Sequence, residues 1–392
     1  QLGFALKCTR RRGYLLVVLA VVISGHYLLS VTTTSYPRFL ASSYNAAGPN
    51  PNAKNNVPDA YYYSQIINST HTLELAERKR ANATFVILAR NSDLDSTVRS
   101  VREVEDRFNR RHGYPFVLLN DEPFTEEFKR RLNAVASGEV FYGQVPREHW
   151  VQPDWIDEDR ATKGREQLVA DNVIYGGSVS YRNMCRFNSG FFFRHPLLQS
   201  FRWYWRIEPD VHFHCDVNFD PFLFMQDRGK VYGFTITMYE FDKTIPTLWD
   251  TVKEFMKLHP EHVAKDNAMG FMSDDGGETY NRCHFWSNFE IADMNFWRGP
   301  AYTDFFAFLD SKGGFYYERW GDAPVHSIAA GIFASKDQIQ FFEEIGYEHN
   351  PYTHCPKDPG MWERGKCGCD PARSFDYDGY SCMRQWDKFV GN

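Results

Sequence analysis

No G-x-G-x-x-G opens a strand-to-helix crossover in this 392-residue chain, and no P-loop occurs anywhere along it. A nucleotide-dependent dehydrogenase and a P-loop NTPase are therefore not expected. There is no basic surplus either. The formal net charge is -6, which removes the electrostatic footprint of a nucleic-acid binder. Internal repeats are missing, and low-complexity sequence is confined to one polar stretch near the N-terminus. The chain does carry aromatic bulk: 33 Phe, 22 Tyr and 10 Trp make up 17% of it. That fraction is too large to be anything but mostly core. Aromatics beside polar motifs, such as Tyr181 and Trp286, also offer flat faces for stacking a base or a sugar ring.

Tyr14 to Val31 is an apolar run broken only by Ser24, Gly25, His26 and Ser30, and Lys7, Arg10, Arg11 and Arg12 precede it. A run of about 18 residues rising ~1.5 Å each spans most of a hydrocarbon core. The basic flank is expected to stay cytoplasmic. No convincing small-residue cleavage site follows, so the run reads as a signal anchor, with a cleaved secretory signal as the alternative. The expected layout is a cytoplasmic tail (1–13), a transmembrane anchor (14–31), a stem (32–82), a large domain (83–356) and a cysteine-rich tail (357–392). The stem contains Ser, Thr, Asn and Pro without sustained periodicity. Asn68 and Asn82 head N-x-Ser/Thr sequons, candidate N-glycosylation sites.

Eight cysteines suit an oxidising compartment. Cys8 falls before the anchor. The seven after it are Cys185, Cys215, Cys283, Cys355, Cys367, Cys369 and Cys382, an odd number that leaves at least one thiol free or paired between chains. Disulfides stapling the tail are expected over a zinc site, since the Cys367-x-Cys369 spacing suits zinc poorly. Their connectivity stays open.

From Thr84 onward strand and helix patterns alternate. Strands are predicted at 84–89, 115–119 and 140–145, with helices at 94–111 and 125–136. In the first helix Val98, Val101, Val104 and Phe108 fall on one face. This βαβαβ opening implies an α/β domain with a mostly parallel sheet and a ligand site at the carboxyl ends of its strands. Further helices are predicted at 159–174, 247–258, 301–311, 325–333 and 336–345, and strands at 205–207, 231–237 and 287–291. Arg90-Asn91, after the first strand, either meets a nucleotide or forms a solvated turn.

The run Trp203-Tyr204-Trp205-Arg206-Ile207-Glu208-Pro209-Asp210 places two carboxylates at a strand end, around a proline that can neither extend a helix nor donate to a ladder. Oxygen ligands of this kind suit a hard divalent cation, and a cation there could clamp a pyrophosphate. The plainer reading of Asp210 is a turn or helix cap. Arg206 is placed either to reach a phosphate or to orient Glu208.

A second segment, Tyr280-Asn281-Arg282-Cys283-His284-Phe285-Trp286-Ser287-Asn288-Phe289-Glu290-Ile291, packs a carboxylate, an imidazole, amides and aromatics together. With Tyr181-Arg182-Asn183-Met184-Cys185-Arg186-Phe187 and Glu348-His349-Asn350-Pro351-Tyr352, it resembles the fungal Golgi α-1,2-mannosyltransferases of glycosyltransferase family 15, from about Ala83 to about Pro356. The resemblance implies a single GT-A-like domain that moves mannose from GDP-mannose with retention of configuration. The implied acceptor is a mannosylated glycoprotein, and the implied setting is a single-pass anchor in the Golgi membrane. It implies Mn2+ held by Glu208 and His349, with Asp210 close by, and Glu290 as the candidate nucleophile. Tyr181 and Arg182 match residues near the donor, to which Arg90 and Arg206 are added.

On a strand, His284, Trp286 and Asn288 would share one face and line an acceptor groove. Asp322 would bind an acceptor hydroxyl, act as a base or cap the helix after it. Glu290 either forms a glycosyl-enzyme or stabilises oxocarbenium-like charge without bonding. Its plainer role is a structural carboxylate paired with Arg282 or Arg298. Two alternative functions remain at this level: a catalytically silent glycan-binding relative, and a retaining glycoside hydrolase using Glu208 and Glu290.

Overall fold

The computed structural model describes residues 79–391. The anchor, most of the stem and Asn68 lie outside the described residues. Among those described, no helix is long and apolar enough to cross a membrane.

The chain opens with β1 (Ala83–Leu88), whose six residues are almost all buried. Helix α1 (Leu94–Arg107) follows and turns Val101 and Val104 inward. Phe108, next to its last residue, is buried too. Then come β2 (Phe116–Asn120), α2 (Glu126–Asn133), β3 (Val140–Gln144), α3 (Glu158–Ala170) and α4 (Val179–Gly190). Thr125 caps α2 and Ser178 caps α4 through their hydroxyls, satisfying N–H groups that the first turn leaves unpaired. Next are β4 (Trp203–Arg206), β5 (Val211–Phe213), β6 (Tyr232–Phe234), β7 (Thr237–Tyr239) and α5 (Leu248–Leu258). The chain continues through β8 (Cys283–Phe285), β9 (Glu290–Asp293), α6 (Pro300–Ser311) and α7 (Asp322–Phe333). It finishes with β10 (Ile339–Phe341), β11 (Tyr347–His349), β12 (Tyr352–His354) and α8 (Met383–Val390).

Seven strands form the central sheet in the order β10-β6-β9-β4-β1-β2-β3. All run the same way except β9, which is antiparallel to both β4 and β6. The mostly parallel mixed sheet is therefore as expected. Side chains alternate across it with the period of a strand. Phe85, Phe116, Trp203 and Trp205 enter the core layer under α1. Val86, Val117 and Tyr204 enter the layer that also holds residues of α4, α6 and α7. Both faces are covered, which explains the near-continuous apolar runs in these strands. The reversal of β9 has a positional effect: its first residue, Glu290, stands opposite Arg206 at the carboxyl end of β4.

Four sequence readings need correction. Residues 231–237 form two strands in different sheets, because β6 joins the central sheet while β7 pairs with β8. The 287–291 strand is a turn followed by β9, since the chain changes sheets between Phe285 and Glu290. Residues 336–345 are not a helix. A 3-10 turn at Lys336–Gln338 leads into β10, where parallel pairing with β6 overrides helical spacing. The 159–174 helix also ends early, at Ala170, with Asn172 at φ 56°.

The tail is stapled, but mainly to the rest of the molecule. Cys215–Cys367 and Cys283–Cys382 join it to the segments after β5 and in β8, and Cys355–Cys369 closes a local loop. Cys185, buried in α4, is the free thiol among the described residues. Helix α8 was not foreseen in the tail. It docks through Trp386, whose ring meets Phe234, Phe271 and Phe285 edge-on at centroid distances of 4.9, 5.5 and 5.6 Å. Trp386→Ala should destabilise the fold by ~3–5 kcal/mol through lost burial and an unfilled cavity. Denaturant unfolding measures this, and an unchanged midpoint would show that the tail rests on its disulfides alone.

Candidate active site

The site begins where β4 ends. Pro209 stops the ladder, and Asp210 turns the chain with φ 67°, a conformation Asp tolerates better than most residues. The two carboxylates then part company. Asp210 reaches outward to Arg99 at 2.9 Å, both side chains being exposed. Glu208 turns inward and accepts from Arg206 Nε at 2.6 Å. Arg206 Nη1 donates to Asp322 Oδ2, also at 2.6 Å, so one buried guanidinium bridges two acids. Orientation of Glu208 is thus the role that the structure gives Arg206. Asp322 also accepts from Ser287 Oγ at 2.7 Å. It is the first residue of α7 and not its cap; Gly321 holds that position.

The electrostatics differ between the two acids. Burial pushes the Glu208 pKa up, and Arg206 only partly opposes it. Burial acts in the same sense on Asp322, but Arg206, His326 and Ser287 together hold that carboxyl below its ordinary value.

Turn 207–210 feeds β5, which pairs antiparallel with β11 and sets Val211 opposite His349. His349 Nδ1 is buried without a hydrogen-bond partner. Burial and then Arg206 depress its pKa, against the pull of Asp210, which keeps the ring neutral. A neutral imidazole with a free nitrogen beside an acid-bearing turn is the donor set that a borderline cation takes. His349 Nδ1 and the carboxylate of Glu208 are thus the groups that could hold a metal here.

Glu290, first residue of β9, is fully buried. It accepts from Tyr204 Oη at 2.8 Å and Tyr232 Oη at 3.0 Å, and His326 Nδ1 lies 2.6 Å away. Trp297 Nε1 donates to Tyr204 Oη at 3.0 Å, so the Tyr204 hydroxyl proton is directed at the carboxylate. Neither arginine considered as its partner is engaged with it. Arg282 pairs with Asp242, and Arg298 donates to the carbonyls of Phe193, Leu198 and Phe201. Glu290 and Arg206 share a cavity with Leu88, Leu119, Phe187 and Asn188, at the carboxyl ends of β1 and β2.

The remaining candidates divide. Arg90 Nη2 donates to Ser180 Oγ at 2.6 Å, which ties the end of β1 to the start of α4. Tyr181 stacks on Tyr175 at 4.7 Å, and the Arg319 guanidinium lies over its ring at 5.1 Å. Arg182 is fully buried and donates to the carbonyls of Ser178 and Glu318. Burial lowers its pKa to about 10, with help from Arg165 and Arg319. His284 does not share a strand face with Trp286 and Asn288, because β8 ends at Phe285. Trp286 instead meets the His349 ring edge-on at 5.1 Å, and Asn288 accepts from Tyr347 Oη at 3.0 Å. Asn82 is exposed, with its amide donating to Ser200 O at 2.7 Å.

Sequence reasoning missed Tyr204, Tyr232 and His326. His326 lay on the predicted 325–333 helix, but only the observed start of α7 at Asp322 puts the two on one face, four residues apart.

Buried acids, a guanidinium and an unpaired imidazole at the carboxyl edge of an α/β sheet define the site of a group-transfer enzyme. The family model described as glycolipid 2-alpha-mannosyltransferase matches residues 43–391, and the chain belongs to that family, glycosyltransferase family 15. Glycolipid 2-alpha-mannosyltransferase 2 of Candida albicans is 55% identical over 313 residues, 80% of this chain and 68% of that protein. Alpha-1,2 mannosyltransferase KTR1 of Saccharomyces cerevisiae is 48% identical over 363 residues, 92% of this chain and 91% of that protein. Among solved structures, core-mannan synthase A of Aspergillus fumigatus in its Mn/GDP form superposes with TM-score 0.75 at 41% identity, covering 83% of this chain and 88% of the other. The mannosyltransferase Ktr4p of Saccharomyces cerevisiae in complex with GDP gives 0.76 at 38% identity, with 79% and 82% covered.

Arg206→Met should cost ~3–5 kcal/mol at neutral pH, because the buried Asp322 and the partly exposed Glu208 lose their counter-charge. With Arg206 present, the depressed Asp322 pKa adds stability above the unfolded carboxylate pKa of ~3.9, and this is lost as pH falls through the folded value. Without Arg206 the acids gain by protonation, so the deficit should shrink on acidification. Denaturant unfolding of both proteins at about pH 7 and about pH 4.5 tests this; an equal deficit at both would contradict the arrangement.

Proposed function

We propose that this chain is a retaining α-1,2-mannosyltransferase that moves mannose from GDP-mannose to mannose-containing N- or O-linked glycans. The observation that carries the reading is the register pair Arg206–Glu290. It sets a fully buried carboxylate in the cavity and an acid-bridging guanidinium at the strand end that leads to Glu208. The mixed sheet fits the GT-A type.

In the net reaction the bond from the anomeric carbon to the diphosphate oxygen breaks. A bond to an acceptor 2-hydroxyl oxygen forms, and that hydroxyl proton is released. Positive charge gathers on the sugar ring as the diphosphate leaves. Glu290 offers a fixed anion for that charge, and its three hydrogen-bonding neighbours hold it in one orientation. Glu208 and His349 would hold Mn2+, for which a mixed carboxylate and imidazole set is better suited than for Mg2+ or Ca2+. When bound, that ion supplies positive charge to the departing diphosphate. In this reading Arg90 and Tyr181 serve the donor nucleotide, and Trp286, Asn288 and Asp322 the acceptor.

GDP release from GDP-mannose with methyl α-mannoside and Mn2+ tests the reading. No release by the unaltered protein would leave a silent glycan-binding relative, and release without nucleotide donor specificity would sink the assignment. Glu208→Ala should abolish Mn2+-dependent GDP-mannose binding, and His349→Ala should weaken it less, since only the carboxylate supplies charge. Glu290→Gln should lower turnover by more than about thirtyfold with little change in donor affinity.

The reading extends to a single-pass Golgi membrane protein with residues after Val31 in the lumen. Protease added to sealed vesicles should spare the large domain. Its digestion would reverse the proposed topology.

A further inference from the structure

Resting on the reading of Glu290 as the charge-bearing carboxylate, we infer that His326 is a positioning residue for the transfer. It acts as a doubly protonated imidazolium that fixes Glu290 in its ionised, cavity-facing state. Four observations carry this. First, the His326 ring is completely buried and lies flat on Trp297 at 4.4 Å and 23°, so its orientation is fixed. Second, both ring nitrogens face oxygen acceptors: Nδ1 is 2.6 Å from Glu290 Oε1, and Nε2 is 3.1 Å from Asn188 O. With Glu290 ionised, a neutral imidazole carries one N–H and leaves one contact as lone pair against lone pair, whereas the imidazolium satisfies both; a neutral ring satisfies both only by accepting from a protonated Glu290.

Third, Arg206 is engaged with Glu208 and Asp322, and His326 is the basic side chain in contact with Glu290. Fourth, Asn188 lies in the last turn of α4, where carbonyls lack intrahelical partners and the helix dipole favours a cation. One turn of α7 thus serves both members of the strand pair. Asp322 is tied to Arg206, and His326, four residues on, is tied to Glu290.

Without the imidazolium, Glu290 would be left with the two tyrosine donors Tyr204 and Tyr232, and its Oε1 would lose its shortest contact. A reoriented Glu290 meets the developing sugar charge poorly, while groups that bind the nucleotide are untouched. The loss should therefore fall on turnover and not on donor binding.

The test uses the purified full chain with Mn2+, GDP-mannose and methyl α-mannoside. His326→Leu should lower kcat about a hundredfold while KM for GDP-mannose stays within about threefold. His326→Asn places a neutral amide donor near the Nδ1 position and should recover about tenfold of that loss. If His326→Leu does not fold, His326→Asn carries the kinetic test alone, with about a tenfold fall in kcat at constant KM as the supporting result. Unchanged kcat in either folded variant overturns the inference. On the unaltered protein, nitrogen-15 spectra of the imidazole groups should show both His326 nitrogens protonated at neutral pH, with the signal assigned by its loss in His326→Asn. A neutral ring also overturns it. Because this measurement needs no turnover, it separates failure of the His326 assignment from failure of the mannosyltransferase reading, which would show as an inactive unaltered protein.

Discussion

The buried guanidinium of Arg206 is the constraint on which the site depends. Three acids gather at one edge of the sheet, and burial disfavours the charged form of Glu208 and Asp322 there. Arg206 touches two of them directly and stands opposite the third in strand register. Because its planar fork is donated in fixed directions, it sets the positions of Glu208 and Asp322 as well as their charge. A lysine could supply the charge but not the geometry. The same side chain also weighs on His349, where its positive field favours the neutral ring.

The reversed strand β9 makes this convergence economical. In an all-parallel sheet only the carboxyl ends of strands reach the ligand edge, so each strand offers what lies at its exit. An antiparallel strand presents its entrance at that edge. Glu290 can therefore be part of the sheet, rigidly paired, and still belong to the site. Rigid placement of this kind is what electrostatic stabilisation of a transition state needs, because nothing has to reorganise when charge develops. His349, by contrast, arrives on a small three-stranded sheet that is separate from the central one. The two halves of the site are thus held by different ladders, joined through the short turn that carries Glu208.

The opening βαβαβ half of the fold was legible because its strands are continuous apolar runs and α1 has a clean apolar stripe. Glu208, Glu290 and His349 were singled out through long motifs rather than through any local pattern. The second half was read less well, for a physical reason. Strands β6 to β9 are three or four residues long and exchange partners between sheets, so no period is sustained long enough to be seen. Residues 336–345 have helical spacing, yet a vacant edge of β6 draws Ile339–Phe341 into a strand. Tyr204 and Tyr232 looked like core aromatics and are core aromatics. Their hydroxyls become functional only because the fold brings a carboxylate from another strand to them. No sequence spacing encodes that meeting.

The covalent links between the tail and the large domain bear on how the molecule is made. Cys215 precedes its partner Cys367 by 152 residues, and Cys283 precedes Cys382 by 99. At typical translation speeds the first interval lasts roughly 8–30 s. For that time β5 has no β11 beside it, and the thiol just after it is open to exchange with any other cysteine of the nascent chain. Correct pairing must wait for the last tenth of the polypeptide, so the acids of the site emerge long before the clasp that holds their surroundings. Biogenesis of this enzyme is therefore a problem of delayed closure, in which the edge beside Cys215 stays unfinished until the tail arrives.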